Sequence, residues 1–122
     1  MEKITLLIGR ILIGHIFVLS GWSKIGAIAG TQSYMASVGL PGFMIYPTIA
    51  LEIGAGLAVI IGFKARWAAL ALALFSIVSA LFFHTDFANQ MQMIMFMKNF
   101  AMAGGLLYVY AMGPGTLSLD GK

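Results

Sequence analysis

The chain has no cysteine among its 122 residues. Disulfides, thiol exchange and thiolate ligation of a metal are therefore excluded. Charged side chains are also scarce, at 9% of the total. An ordinary soluble domain is roughly 25% charged, so a water-solvated surface would be short of polar groups. The 7 basic residues outnumber the 4 acidic ones, but they are scattered singly and form no track for nucleic-acid phosphates. Also missing are a glycine-rich phosphate loop, a metal-ligand spacing of histidine and carboxylate, and a serine, histidine and aspartate set that anything brings together.

What is present is apolar. Hydrophobic residues make up 61% of the chain and the mean hydropathy is +0.97, values that describe an integral membrane protein whose first partner is the lipid bilayer. At ~1.5 Å of rise per residue, a bilayer core of ~30 Å takes ~20 residues. The length then allows about four or five crossings and no soluble catalytic domain beside them. Met1-Glu2-Lys3 before an apolar run has the outline of a signal peptide. Arg10 interrupts that run, however, and it continues past the usual length, which predicts an uncleaved first helix.

Turn residues divide the chain into four spans, at about 4–29, 43–63, 67–83 and 91–112, within a single domain. Between the first two, residues 34–38 are expected to form a short interfacial helix capped by Thr31, with Tyr34 at headgroup level. Lys64-Ala65-Arg66 forms a tight turn, His84-Thr85-Asp86 with Asn89-Gln90 the next polar break, and Gly113-Pro114-Gly115 ends the last span. Lys3, Arg10, Lys64, Arg66 and Lys122 fall on one side of the membrane and only Lys24 and Lys98 on the other. Positive residues stay inside, so both termini are predicted cytoplasmic.

Spacing indicates how the helices pack. Arg10, Gly14, Phe17, Gly21 and Lys24 recur at steps of four and three, as do Met91, Met95, Lys98, Met102, Gly105, Val109 and Met112. The second span offers Thr48, Glu52, Ala55 and Val59, and the third Ala69, Ala73, Ser76 and Ala80. Small residues on these seams let backbones approach. The fold class is all-α: an integral membrane four-helix bundle with left-handed packing.

Ionisable groups inside the membrane are the candidates for function, since a charge near a helix centre costs ~2.5–3.5 kcal/mol on insertion scales. Glu52 is the clearest, close to the midplane. Arg10 either extends towards Glu52 or snorkels to headgroups. Lys24, His84, Asp86, Lys98 and Asn99 fall at or near the outer helix ends and, with Glu52, outline a polar pocket; Lys24 and Asp86 read equally well as interfacial anchors. Lys98 reads as inward-facing, and His15 as hydrogen-bonded core rather than a ligand. The alternating Met91, Met93, Met95 and Met97 read as flexible seam packing rather than a Cu(I) site, so no metal is expected.

These segments together resemble the DoxX family, and within it the YphA-type bacterial inner-membrane proteins. The resemblance rests on Gly9-Arg10, Gly21 and Lys24, on Tyr34 through Pro41, and on Glu52 with the glycines after it. It continues through Gly62-Phe63-Lys64-Ala65-Arg66, Met97-Lys98-Asn99-Phe100 with Gly104-Gly105, and Gly113-Pro114-Gly115 to Ser118-Leu119-Asp120. Trp67 departs from the pattern, where proline tends to follow the arginine. The resemblance implies a multi-pass protein of the bacterial inner membrane with cytoplasmic termini. Arg10, Lys24, Glu52, Lys98 and Asn99 match the family's polar positions, although no catalytic role comes with them.

Three functions are open at this point. The first is a redox-associated subunit that binds a quinone, with Glu52 or His84 exchanging the proton and a partner subunit supplying electrons. The second is a small proton-coupled transporter using Glu52, and the third a scaffold in a membrane complex whose buried charges fix helix register. Beyond quinone no cofactor is implied, and the partners to consider are a redox subunit or further copies of the chain. Whether the protein is an enzyme is left open.

Overall fold

A computed structural model describes residues 2–83, 88–115 and 117–121. Helix α1 covers Glu2–Ile25, α2 Ile28–Ser37, α3 Ile45–Ile61, α4 Ala65–Phe83 and α5 Gln90–Met112, with a 3-10 turn at Gly42–Met44 leading into α3. Four helices are long and apolar enough to cross a membrane: α1, α3 with its preceding turn, α4 and α5. The four expected spans are therefore present, with ends shifted by a few residues.

The largest shift is in the first span, which was expected to reach Ala29. The chain turns instead at Gly26-Ala27, and Ala27 leaves helical geometry at φ −137° and ψ 38°. Apolar residues lie on both sides of this turn, so hydropathy does not mark it. The interfacial helix is correspondingly longer than residues 34–38, and Thr31 lies inside it rather than capping it; no side chain caps its start. Gly39, at φ +86°, supplies the left-handed turn after it. Helix α5 opens on Asn89, whose side-chain oxygen accepts from the Met91 and Gln92 amides.

The bundle is built from two close pairs, α1 with α3 and α4 with α5, joined through α3 against α4; α1 and α5 touch only lightly. Phe17, Val59, Ala69, Leu72, Ala73, Ala103 and Leu106 form the core. The predicted α1 seam is the buried face, through Arg10, Gly14, Phe17 and Gly21. It meets α3 backbone to backbone: a Cβ on Gly14 would lie 2.9 Å from the Gly56 carbonyl and 2.6 Å from Ile60.

In α5 the expected seam packs through its middle, with Met102 and Val109 against the core and Gly105 facing Ile13 of α1, but the most buried positions lie beside it. Ala103 and Leu106 are buried, whereas Met91, Lys98 and Met112 are exposed. His15 likewise points outward rather than into the core, its Nδ1 paired with the Leu12 carbonyl of its own helix. Outward faces carry Leu12, Leu19, Trp22, Leu74 and Leu81, which suits a lipid surround and would be a liability in water.

Candidate functional site

Glu52 projects from α3 seven residues after Ile45, ~10 Å along the helix, and is 2% exposed. Lys24, in the last turn of α1, donates from Nζ to Glu52 Oε1 at 2.6 Å and to Ser20 Oγ at 2.8 Å. Gly21 makes this meeting possible. A Cβ there would stand 2.7 Å from Ile53 and 3.2 Å from the Glu52 Cβ, so any larger residue would push α1 off α3 at the level of the ion pair. The pair is unequal in environment: the Lys24 side chain is 25% exposed. Broken from either side, it leaves a charge poorly solvated.

The ion pair faces a cavity of about 560 Å³. Phe17, Phe75, Phe82, Met95 and Met102 supply apolar wall, and α2 closes one end with Tyr34 and Met35. Polar groups are few. Asn99 donates from Nδ2 to the Ser76 carbonyl at 3.3 Å, and the Ser76 hydroxyl donates to the Leu72 carbonyl at 2.9 Å within its own helix. Lys98 also lines the cavity and has no hydrogen-bond or ion-pair partner among the described residues. Since Lys24 and Glu52 offset one another, Lys98 leaves the described lining with an excess positive charge. Such a site can hydrogen-bond an electronegative group on a lipophilic ligand while burying the remainder.

Of the residues singled out in the sequence, Lys24, Glu52, Lys98 and Asn99 come together here. His84 and Asp86 lie outside the described residues. Arg10 is elsewhere, 14 residues before Lys24 and therefore ~21 Å along α1. It is 2% exposed and neither reaches Glu52 nor extends to headgroups. Its Nη1 donates to the carbonyls of Ile60 at 2.8 Å and Val59 at 3.2 Å, and its Nη2 donates to the Leu117 carbonyl. The final carbonyls of a helix have no intrahelical donor and carry partial negative charge, which explains what draws a buried guanidinium to the end of α3.

The 117–121 segment completes that end. Leu119 and Asp120 amides donate to the Ile61 and Gly62 carbonyls at 3.1 and 2.9 Å. The Asp120 carboxylate accepts from the Lys64 and Ala65 amides at 2.8 and 2.9 Å, capping α4 from more than fifty residues away. Gly62, at φ +76°, has room for nothing larger, because a Cβ would fall 2.1 Å from that of Ser118. Ser20, Thr48 and Ser79 also line the cavity and were missed in the sequence. Ser20 had a usable signal, since it stands one helical turn before Lys24.

Comparison with known proteins agrees with this architecture. Residues 5–85 match the DoxX family model. Inner membrane protein YqjF of Escherichia coli (strain K12) is 44% identical over 120 residues, covering 98% of this chain and 92% of its own length. Inner membrane protein YphA of the same organism is 36% identical over 126 residues, covering 98% and 90%. A shorter match, 38% identical over 64 residues and covering 52% of this chain and 48% of the relative, is to the Bacillus subtilis (strain 168) protein named "Putative oxidoreductase CatD". No solved structure matches the chain. With a family model matching residues 5–85 and two relatives of 44% and 36% identity that each cover 98% of it, the chain belongs to the DoxX family.

Proposed function

We propose that this protein is an inner-membrane subunit that binds a quinone-type lipophilic carrier in the cavity beside Lys24 and Glu52 and works with a redox partner subunit. The observation that carries the reading is the lining itself: an apolar cavity of about 560 Å³ into which the Lys24–Glu52 ion pair, the Asn99 amide, a few hydroxyls and Lys98, which has no partner among the described residues, are set. Lipophilic ligand sites have volumes of about 300–1,000 Å³ and use a few fixed polar groups for orientation. Lys24, Lys98 and Asn99 supply donors suited to quinone carbonyls, and Glu52 supplies a carboxyl for proton exchange. When bound, the quinone supplies two-electron, two-proton carrier chemistry. The chain has no cysteine for an iron–sulfur cluster and His15 faces outward, so electrons come from a partner. The oxidoreductase name of the partial relative CatD supports the same direction. In this reading the 64–66 turn and both termini are cytoplasmic, following the positive-inside rule.

The test is mass spectrometry of small molecules retained after gentle detergent purification, comparing the native chain with Glu52→Gln and Lys98→Ala. An isoprenoid quinone held by the native chain and depleted in folded variants is the expected result. Bulk lipid alone in all three preparations would overturn it. Proton-coupled flux in proteoliposomes, abolished by Glu52→Gln, would then establish a transporter, and loss of complex assembly alone would establish a scaffold.

A further inference from the structure

At the end of the bundle away from the cavity, Lys64, Arg66, Trp67, Pro114 and Asp120 surround a second concavity of about 340 Å³. Its charges are arranged unevenly. Both Asp120 oxygens accept backbone amides, from Lys64 and Ala65, so the carboxylate is committed to the start of α4. Neither the Lys64 ammonium nor the Arg66 guanidinium has a hydrogen-bond or ion-pair partner among the described residues; Lys64 Nζ lies 5.7 Å from the Phe63 ring centroid. Two cations are thus available beside a carboxylate that is already engaged.

Aromatic and apolar surface adjoins them. Trp67 is 66% exposed and meets Tyr110 edge-on, with ring centroids 6.0 Å apart. Trp and Tyr are the residues that sit at headgroup level. Leu74 lies two turns beyond Trp67 and Leu107 one turn before Tyr110, so each shares the face of its aromatic neighbour, and both are exposed. A ligand held at the cations therefore has an apolar path running away from it along α4 and α5.

We propose that this concavity binds the phosphodiester headgroup of an anionic phospholipid. The guanidinium of Arg66 makes paired hydrogen bonds to phosphate oxygens, Lys64 adds its charge, and Trp67 with Tyr110 flanks the glycerol region while the acyl chains follow Leu74 and Leu107. A bound lipid would touch the start of α4, the end of α5 and the 117–121 segment together. A free phosphate shares the headgroup chemistry but has no use for the apolar path.

The experiment places the full chain in nanodiscs of phosphatidylcholine containing about one-tenth phosphatidylglycerol and uses native mass spectrometry to count the lipids that leave with it. Phosphatidylglycerol is expected to be retained out of proportion to its share. Each cation near a headgroup contributes about a fivefold preference, so Lys64→Ala and Arg66→Ala should each lose about that factor and the double variant about twenty-five-fold. Lys3→Ala, exposed and outside the concavity, should lose much less; an equal loss there would reveal diffuse attraction and overturn the site. Retention of the two lipids by the native chain in the same proportion as in the nanodisc would also overturn it. Should the variants misfold, the native chain still decides the matter: a built headgroup site keeps part of its preference for phosphatidylglycerol at an ionic strength that screens exposed charges, and complete loss of the preference there would overturn the site. If inorganic phosphate or glycerol phosphate stabilises the detergent-solubilised protein as well as phosphatidylglycerol does, the site takes a free anion and the lipid assignment fails.

Discussion

The inequality of the Lys24–Glu52 pair gives a prediction with a definite order. Lys24→Met leaves Glu52 at 2% exposure without the one ion-pair partner it has among the described residues, and removing one member of a buried pair costs ~3–5 kcal/mol. Taking the lower bound because the cavity admits solvent or ligand, the expected loss is ~3 kcal/mol. Glu52→Gln is milder. Lys24 keeps the Ser20 hydroxyl at 2.8 Å, its side chain is already a quarter exposed, and its stem lets the ammonium move to polar surroundings, so the expected loss is ~1 kcal/mol. The double variant should cost less than the two added together, with a coupling of ~1–3 kcal/mol. Equilibrium unfolding in mixed micelles, titrated with dodecyl sulfate and followed by fluorescence of Trp22 and Trp67, measures all three. Additive losses, or a larger loss for Glu52→Gln than for Lys24→Met, would refute the reasoning.

Other substitutions test the remaining contacts. In α1, Gly14→Ala should destabilise by ~1–3 kcal/mol because its Cβ meets the Gly56 carbonyl at 2.9 Å, whereas Gly9→Ala, with nothing within 4 Å, should be neutral or stabilising by up to ~1 kcal/mol; the same unfolding titration reads both. Asp120→Ala removes the cap of α4 and should cost ~1–2 kcal/mol, seen together with faster hydrogen exchange at the Lys64 and Ala65 amides. Arg10→Gln strips donors from the carbonyls of Val59, Ile60 and Leu117 and should destabilise by ~3 kcal/mol, while leaving retention of the cavity ligand unchanged in the folded fraction.

Much of the bundle was legible because helical spacing is a local property. Arg10, Gly14, Phe17 and Gly21 on α1, and Ala69, Ala73, Ser76 and Ala80 on α4, are buried where their periodicity places them. Glu52 was identified by its cost inside a membrane. Its partner was not, because the reach of Lys24 depends on how closely α1 and α3 approach at Gly21, a tertiary distance with no local signature. Arg10 shows the same limit more sharply. Its acceptors include a carbonyl 107 residues away and the last turn of α3, and no pattern near residue 10 points to either. The α5 seam was legible in Met102, Gly105 and Val109, which pack, but not in the deeper burial of Ala103 and Leu106 beside it, because periodicity marks a stripe and not the width of the contact with α4.

The contact between Arg10 and Leu117 also bears on how the chain is made. When helix α1 is made, none of the carbonyls that hold Arg10 in the folded bundle has yet been synthesised. Donors on Arg10 find the α3 carbonyls only after residue 60 has emerged, and the Leu117 carbonyl only after residue 117 has. Until then Gly62 and the start of α4 also lack the 117–121 segment that covers them. Assembly is thus timed by the polypeptide itself: the Arg10 end of α1 cannot settle fully until the 117–121 segment arrives, and a chain cut after α5 would hold Arg10 by the Val59 and Ile60 carbonyls alone.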